Sequence, residues 1–370
     1  MSVSLREKFF GCICGAHIGS AMGAVVEGWP HEKTDEIYGT LDALYPYEHY
    51  NNGWLREAGT TEDGIDRQKL MITAIIEKND RISAEDLRKI WVRDINPKAP
   101  GGISEPYEGE LLKISKTSIP ARDIGRYCDY ANLVTFSRSC HPVGMINAGD
   151  IRGAIDDVME VGQVYHYANS NALKWACVTA AGIAAAMLPG ATVESVLEAV
   201  FNNLDDRKRV EGRDDGWYAD YAGVNIADEL KKALELTKDC QNYKELRIAM
   251  DKVYYGEGMP YALAFANEIV TKGVVVFKFA GSDVKKAIIT AVNMGRDTDC
   301  LAAVAAGLSG ALNGAESIPK EWISQVDYAS SIHRFTNNKR TLRECSDGLY
   351  GAFQKRLRNI NAFTALMDIE

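Results

Sequence analysis

Glycines at positions 11, 15, 19 and 23 recur every four residues inside residues 9–26, a run with no charged side chain when His17 is neutral. On an α-helix that spacing lines all four on one face. A face without side chains lets a neighbouring backbone approach closely. The chain is therefore expected to build itself around a helix over residues 5–26 that packs tightly against another element. Arg6 and Lys8 precede the run, as they would in a signal sequence. However, the glycines, His17 and Ser20 dilute its apolar character, and its length is marginal for a membrane span. The expectation is a buried helix in a cytoplasmic protein with no membrane contact. The spacing is not a dinucleotide fingerprint, and no strand precedes it. Glu27-Gly28-Trp29-Pro30 forms the exit loop, with Pro30 biasing Trp29 to an extended conformation.

The remaining pattern is helical. Ile65, Ile72, Ile75 and Ile76 recur at helical spacing after residues 60–63, and Ser83-Ala84-Glu85-Asp86 is a relative of the capping box. Further helices are expected over residues 121–133, 146–164, 170–188, 192–203, 224–238, 242–253, 260–272, 283–293 and 300–313, with more to residue 370. The last of the numbered spans is apolar or small on every side, the mark of a central helix. Residues 96–110 are the clearest loop, and residues 204–221 a polar and aromatic surface stretch. Val274-Val275-Val276-Phe277 is the one good strand candidate, with a buried helix segment as the alternative. This gives an all-α fold. No linker divides the 370 residues, so one domain over 1–370 is expected. The net charge of -9 argues against a nucleic-acid partner. Eight cysteines without a CxxC pair suit reduced, buried thiols.

Two acidic stretches stand apart from this pattern. Thr61-Glu62-Asp63 lies in Gly59-Thr60-Thr61-Glu62-Asp63-Gly64, and Asp297-Thr298-Asp299 follows Gly295-Arg296. Each sits at an expected helix start. Consecutive residues on a regular helix point about 100° apart, so adjacent ligands cannot converge from a helix interior. At an N-terminus, where the backbone is still turning, they can. Five oxygen donors without a histidine point to a hard cation, magnesium foremost, with manganese or calcium as substitutes. The alternative is that these residues are ordinary N-caps.

Three elements in this order resemble the ADP-ribosylglycohydrolases, which include the dinitrogenase-reductase-activating and the ADP-ribosyl-arginine and -serine hydrolases. The glycine-rich first helix leads to a glutamate, here Glu27. Gly59-Thr60-Thr61-Glu62-Asp63 resembles the family's Gly-x-x-Thr-Asp-Asp, and Gly295 to Cys300, leading into an alanine-glycine helix, resembles Gly-Gly-Asp-Thr-Asp-Thr. Pro142-Val143-Gly144, His166 and Met259-Pro260 fit between them. The resemblance covers residues 5–315, leaving 316–370 as a helical extension packed on the same domain.

The resemblance implies an orthogonal helix bundle with a two-magnesium centre. Thr61, Glu62, Asp63, Asp297 and Asp299 would be its ligands, and Glu27 would lie beside them on a mobile loop. The implied reaction is hydrolysis of an N- or O-glycosidic bond at the anomeric carbon of ADP-ribose. Glu62 is the first choice for the base, Asp63 the second, and Glu27 serves as gate or ligand. Glu27, Arg296, His141 and His166 are the candidate substrate contacts. For Arg296 the alternative is an ion pair with a nearby acid, and for each histidine a structural place. The chain departs from the family pattern at Glu62 (for aspartate), Arg296 (for glycine), Cys300 (for threonine) and residues 134–142, which replace a Gly-Asn-Gly loop. The expected substrate is an ADP-ribosylated protein or, where these departures alter the site, a ribosylated small molecule. Two other functions compete: hydrolysis of a different riboside, and a non-enzymatic binding or crystallin-like role.

Overall fold

Helix α1 (Leu5–Gly23) runs along a helix from the far end of the chain, Thr298–Asn313, and these two make the most extensive helix pairing among the described residues. A Cβ added to Gly15 would fall 2.1 Å from the Ala306 carbonyl oxygen. At Gly19 it would fall 2.7 Å from the Ala302 oxygen, and at Gly23 2.5 Å from the Thr298 oxygen. At Gly11 it would meet Gly310 and Gly314. As the glycine number rises by four, the partner number falls by four, so the helices are antiparallel and in register. The C-terminal end of α1 therefore lies against the N-terminal end of its partner.

The computed structural model describes residues 3–48, 53–98, 102–103, 105–128, 130, 132–204, 226–254, 264–333 and 339–367. Around the central pair stand α2 (His31–Tyr38), α3 (Asp63–Lys78), α4 (Ala84–Asp94), α5 (Pro106–Ser115), α6 (Thr135–Ser139), α7 (His141–Ile146), α8 (Ile151–Val161), α9 (Asn171–Ala186) and α10 (Val193–Asn203). They are followed by α11 (Ile226–Leu236), α12 (Tyr243–Tyr254), α13 (Ala266–Ala280), α14 (Val284–Val292), α15 (Thr298–Asn313), α16 (Lys320–Ile332) and α17 (Leu342–Leu366). One short antiparallel ribbon pairs β1 (Tyr47–Glu48) with β2 (Leu55–Arg56), Tyr47 opposite Arg56. One large apolar cluster takes residues from Phe9 in α1 to Phe353 in α17.

Helix α1 is interior along nearly its whole length. Every residue from Lys8 to Gly23 is buried. Burial holds His17 neutral, pushing it well below the ordinary histidine range. The Lys8 ammonium donates to the Ala186 and Leu188 carbonyls (2.7 and 2.8 Å), placing a cation at the C-terminal end of α9. Residues Leu5–Val26 are long and apolar enough to cross a membrane, yet their most apolar stretch is buried throughout inside this protein.

Sequence-expected caps hold at several starts. Ser83 and Asp86 form a capping box on α4, Thr192 caps α10, and Asp283 caps α14. Elsewhere the structure differs. The strand candidate Val274 to Phe277 lies in the middle of α13, buried throughout. Gly273 explains the helix's place: a Cβ there would fall 2.6 Å from Val304, so α13 packs closely on α15. The expected helix over 121–133 is a 3-10 turn, Ala121–Tyr127, which lays Gly125 against the His166 backbone. The helix expected from 146 begins at Ile151, because Asp150 caps it through the Gly153 amide. Helix α5 starts inside the expected loop 96–110, with Pro106 in its first turn. Residues 134–142 are not a loop but form α6 and the start of α7, both buried. Most of 204–221, and Met259-Pro260, lie outside the described residues.

The central contact makes a prediction of sign. Replacing glycine by alanine in an exposed helix interior stabilises by about 1 kcal/mol. Gly15→Ala instead forces apart two backbones and lowers stability by about 3 kcal/mol. Gly351→Ala in α17, where nothing lies within 4 Å of the new carbon, behaves as the exposed case. Urea unfolding of the two variants checks both signs.

Candidate active site

Three chain segments meet where the antiparallel pair ends. Helix α1 exits through the 3-10 turn Ala24–Val26 into Glu27. The Thr298 hydroxyl at the head of α15 donates to the Gly23 carbonyl (2.8 Å), and the Glu62 amide at the head of α3 donates to Ser20 Oγ (3.4 Å). The loop carrying Glu27 is tied to the loop before Asp297 by two backbone bonds: Gly28 N–H to Arg296 O and Arg296 N–H to Trp29 O, both 2.8 Å. The resemblance implies a mobile loop for Glu27; in this structure its neighbours Gly28 and Trp29 are held. Gly295 allows the approach, at φ +77°, with room for no Cβ beside the His31 amide. These contacts bring Glu27, Thr61, Glu62, Asp63, Asp297 and Asp299 into one place.

These residues are not ordinary caps. Glu62 and Asp297 occupy the N-cap positions of α3 and α15, and neither makes a side-chain capping bond. Asp297 and Asp299 are each 2% exposed and Thr61 3%. Among the described residues, neither carboxylate oxygen of Asp297, nor Oδ1 of Asp299, nor the Thr61 hydroxyl has a hydrogen-bond partner. Unpaired buried carboxylates cost several kcal/mol unless they are neutralised. The electrostatics record that cost. Burial, then the Asp299 charge, holds Asp297 well above the usual carboxylate range. Burial and the charges of Asp299, Asp297, Glu62 and Asp63 do the same to Glu27. Burial pushes Glu62 up to about 8, against the pull of Arg56 and Tyr47. Donor atoms of Asp297, Asp299 and Cys300 lie within 4.8 Å of one another. A convergent set of buried, partnerless oxygens fits a hard divalent cation.

Several residues around this cluster escape a sequence reading. The Tyr47 hydroxyl donates to Glu62 Oε1 at 2.5 Å, and Arg56 Nε lies 3.5 Å from the same oxygen. The extra methylene of Glu62 thus carries its carboxylate to the β-ribbon. Arg138, from α6, donates through Nη2 to Asp63 Oδ2 (2.6 Å) and through Nη1 to Cys300 Sγ (3.2 Å). The only hint in sequence is an arginine inside the otherwise uncharged stretch ahead of Pro142.

The remaining expected contacts sit differently. Arg296 has a left-handed backbone (φ +68°), where glycine is favoured. Its guanidinium grips the buried Glu268 through Nε (2.8 Å) and Nη2 (3.0 Å), so the ion-pair alternative describes it. Lys272 pairs with the same carboxylate at 2.7 Å. His141 is wholly buried; it accepts from Gln68 Nε2 at Nδ1 (3.1 Å) and donates from Nε2 to Ala303 O (2.9 Å), pinning α7 to α3 and α15. His166 is equally buried, beyond the α8 end. Burial pushes both histidines down to about 4, so both are neutral. Trp29 carries the Lys33 ammonium 3.6 Å above its ring, and Trp54 lies under Arg56. Trp217, Tyr218 and Tyr221 lie outside the described residues.

Fold and site together define an all-α protein with a buried carboxylate centre at the meeting of three helix ends. The chain belongs to the ADP-ribosylglycohydrolase family, whose pattern matches residues 1–358. That membership assigns it to hydrolases of glycosidic bonds in ADP-ribose-type substrates. It is 24% identical over 336 residues to an uncharacterized protein of Archaeoglobus fulgidus, covering 86% of this chain and 91% of that one. It is 23% identical over 337 residues to the uncharacterized protein YegU of Escherichia coli, covering 88% and 93%. Among solved structures it is similar to an ADP-ribosylglycohydrolase-related protein complex, with TM-score 0.64, 15% identity and coverage of 95% and 99%. At that identity the likeness shows the fold.

Arg296→Ala tests the weight of the ion pair. It removes one cation from a buried carboxylate and is expected to lower stability by about 2 kcal/mol, the scale of a charged hydrogen bond lost at a buried group. Chemical denaturation measures it.

Proposed function

We propose that this protein is a magnesium-dependent hydrolase that cleaves a ribosyl glycosidic bond, releasing ADP-ribose from a protein or small-molecule acceptor. The observation that carries the proposal is the buried, partnerless Asp297 carboxylate beside Asp299, Glu62, Asp63 and Glu27. Thr61, Glu62, Asp63, Asp297 and Asp299 would hold the cation, and manganese or calcium would substitute for it. When bound, the cation supplies an anchor for the ribose hydroxyls and a more acidic water.

The chain's own residues do the rest. Glu62 takes a proton from the water that attacks the anomeric carbon. Tyr47 and Arg56 fix the direction of its carboxylate. Asp63, engaged by Arg138, is the second choice. Positive charge develops on the sugar in an oxocarbenium-like transition state, and the remaining carboxylates stabilise it. Glu27, half-buried on the exit loop, serves as gate or as a further oxygen donor.

One observation supports the second reading, hydrolysis of a different N- or O-riboside. Residues 134–142 are packed away in α6 and α7 and send Arg138 inward, instead of forming an open glycine loop. A panel decides between them. Purified protein with magnesium is expected to release ADP-ribose from ADP-ribosyl-arginine, ADP-ribosyl-serine or O-acetyl-ADP-ribose. Asp297→Ala or chelation is expected to cut kcat/KM about a thousandfold. Cleavage of simple ribosides alone supports the second reading. No turnover of any substrate sinks both and leaves a binding role.

A further inference from the structure

We propose that the Arg138 guanidinium is a built-in cation standing in for a second metal ion, so that this centre binds a single divalent ion. This rests on the metal-dependent reading above. The groups of the cluster differ in their partners. Asp297 Oδ1 and Oδ2, Asp299 Oδ1 and Thr61 Oγ1 are buried and partnerless among the described residues. Arg138, in contrast, spans the heads of α3 and α15, with Nη2 2.6 Å from Asp63 Oδ2 and Nη1 3.2 Å from Cys300 Sγ. Asp299 Oδ2 lies 3.6 Å from Cys300 Sγ.

Two-metal centres hold their ions about 3.5–4 Å apart, bridged by shared oxygens. Here a buried guanidinium already sits on one carboxylate of such a pair. The neighbouring sulfur is a poor ligand for a hard cation. The position is prepared for an arginine. A Cβ on Gly64 would fall 2.8 Å from Arg138 Cδ, so the glycine after Asp63 makes the passage for the side chain. Gln68 Nε2 donates to the Arg138 carbonyl (2.9 Å) and anchors the end of α6. An arginine does not release its proton in a protein, so the replacement is permanent. Five carboxylates share the cluster, Glu27, Glu62, Asp63, Asp297 and Asp299, while Arg138 and Arg56 supply positive charge to it. By formal charge one divalent ion leaves a single negative charge and two leave a single positive one, so the geometry at Arg138 and not the charge count carries the inference.

Manganese titration followed by electron paramagnetic resonance tests this on the full chain. The unmodified protein is expected to take one Mn2+ per chain, with the six-line spectrum of an isolated ion. Cys300→Thr alone is expected to stay at one, because Arg138 is still in place. Arg138→Gln combined with Cys300→Thr is expected to take two, with a spin-coupled spectrum. Two ions in the unmodified protein, or in Cys300→Thr, overturn the inference and leave the metal-dependent reading standing. One ion in the folded double variant also overturns it. No manganese in the unmodified protein overturns the metal-dependent reading and this inference with it.

Discussion

The closeness of α1 to α15 is the constraint on which the rest depends. Four glycines in α1 meet the backbone of α15 at distances that leave no room for a side chain. Because the helices run antiparallel, the close contact fixes their ends as well as their middles. The Thr298 hydroxyl reaches Gly23, and Glu27 and Asp297 leave the same contact on adjacent loops. A side chain in that seam would shift one end against the other, and the oxygens at the heads of α3 and α15 would no longer face one another. Packing and chemistry are the same geometric fact.

The second constraint is electrostatic. Acids at a helix N-terminus gain from the helix dipole, but only by fractions of a kilocalorie to about 1 kcal/mol when exposed. That does not offset several buried carboxylates with partnerless oxygens. The protein meets part of the debt itself: Arg56 and Tyr47 act on Glu62, and Arg138 acts on Asp63. Among the described residues it leaves both oxygens of Asp297 and Oδ1 of Asp299 without a hydrogen-bond partner. The packing of the core holds these groups together, and the proposed cation would offset that cost.

Much of this is legible in sequence. The glycine row announces a close helix contact, and the apolar run after Asp299 announces a central helix. That each is the other's partner shows only in three dimensions, because glycine spacing says that a backbone approaches and not which one. Thr61, Glu62, Asp63, Asp297 and Asp299 stand out by residue type and by their place before helices. Their failure to act as caps is a matter of side-chain direction. Arg138, Tyr47 and Arg56 are not legible, since each joins the cluster through a contact distant in sequence. Residues 134–142 pass for a loop only through their correspondence with the family's Gly-Asn-Gly loop, and the structure buries them in α6 and α7. Val274 to Phe277 looks like a strand for the converse reason: β-branched residues are tolerated in a helix packed on all sides.

The central claim is that the meeting of three helix ends holds a divalent cation on Asp297, Asp299 and Thr61. Anomalous diffraction from crystals soaked in manganese addresses it directly. The account predicts a strong peak within bonding distance of Asp297 and Asp299, beside Thr61. A cluster without a peak at saturating manganese, or manganese bound elsewhere with Asp297 still unpartnered, would contradict it.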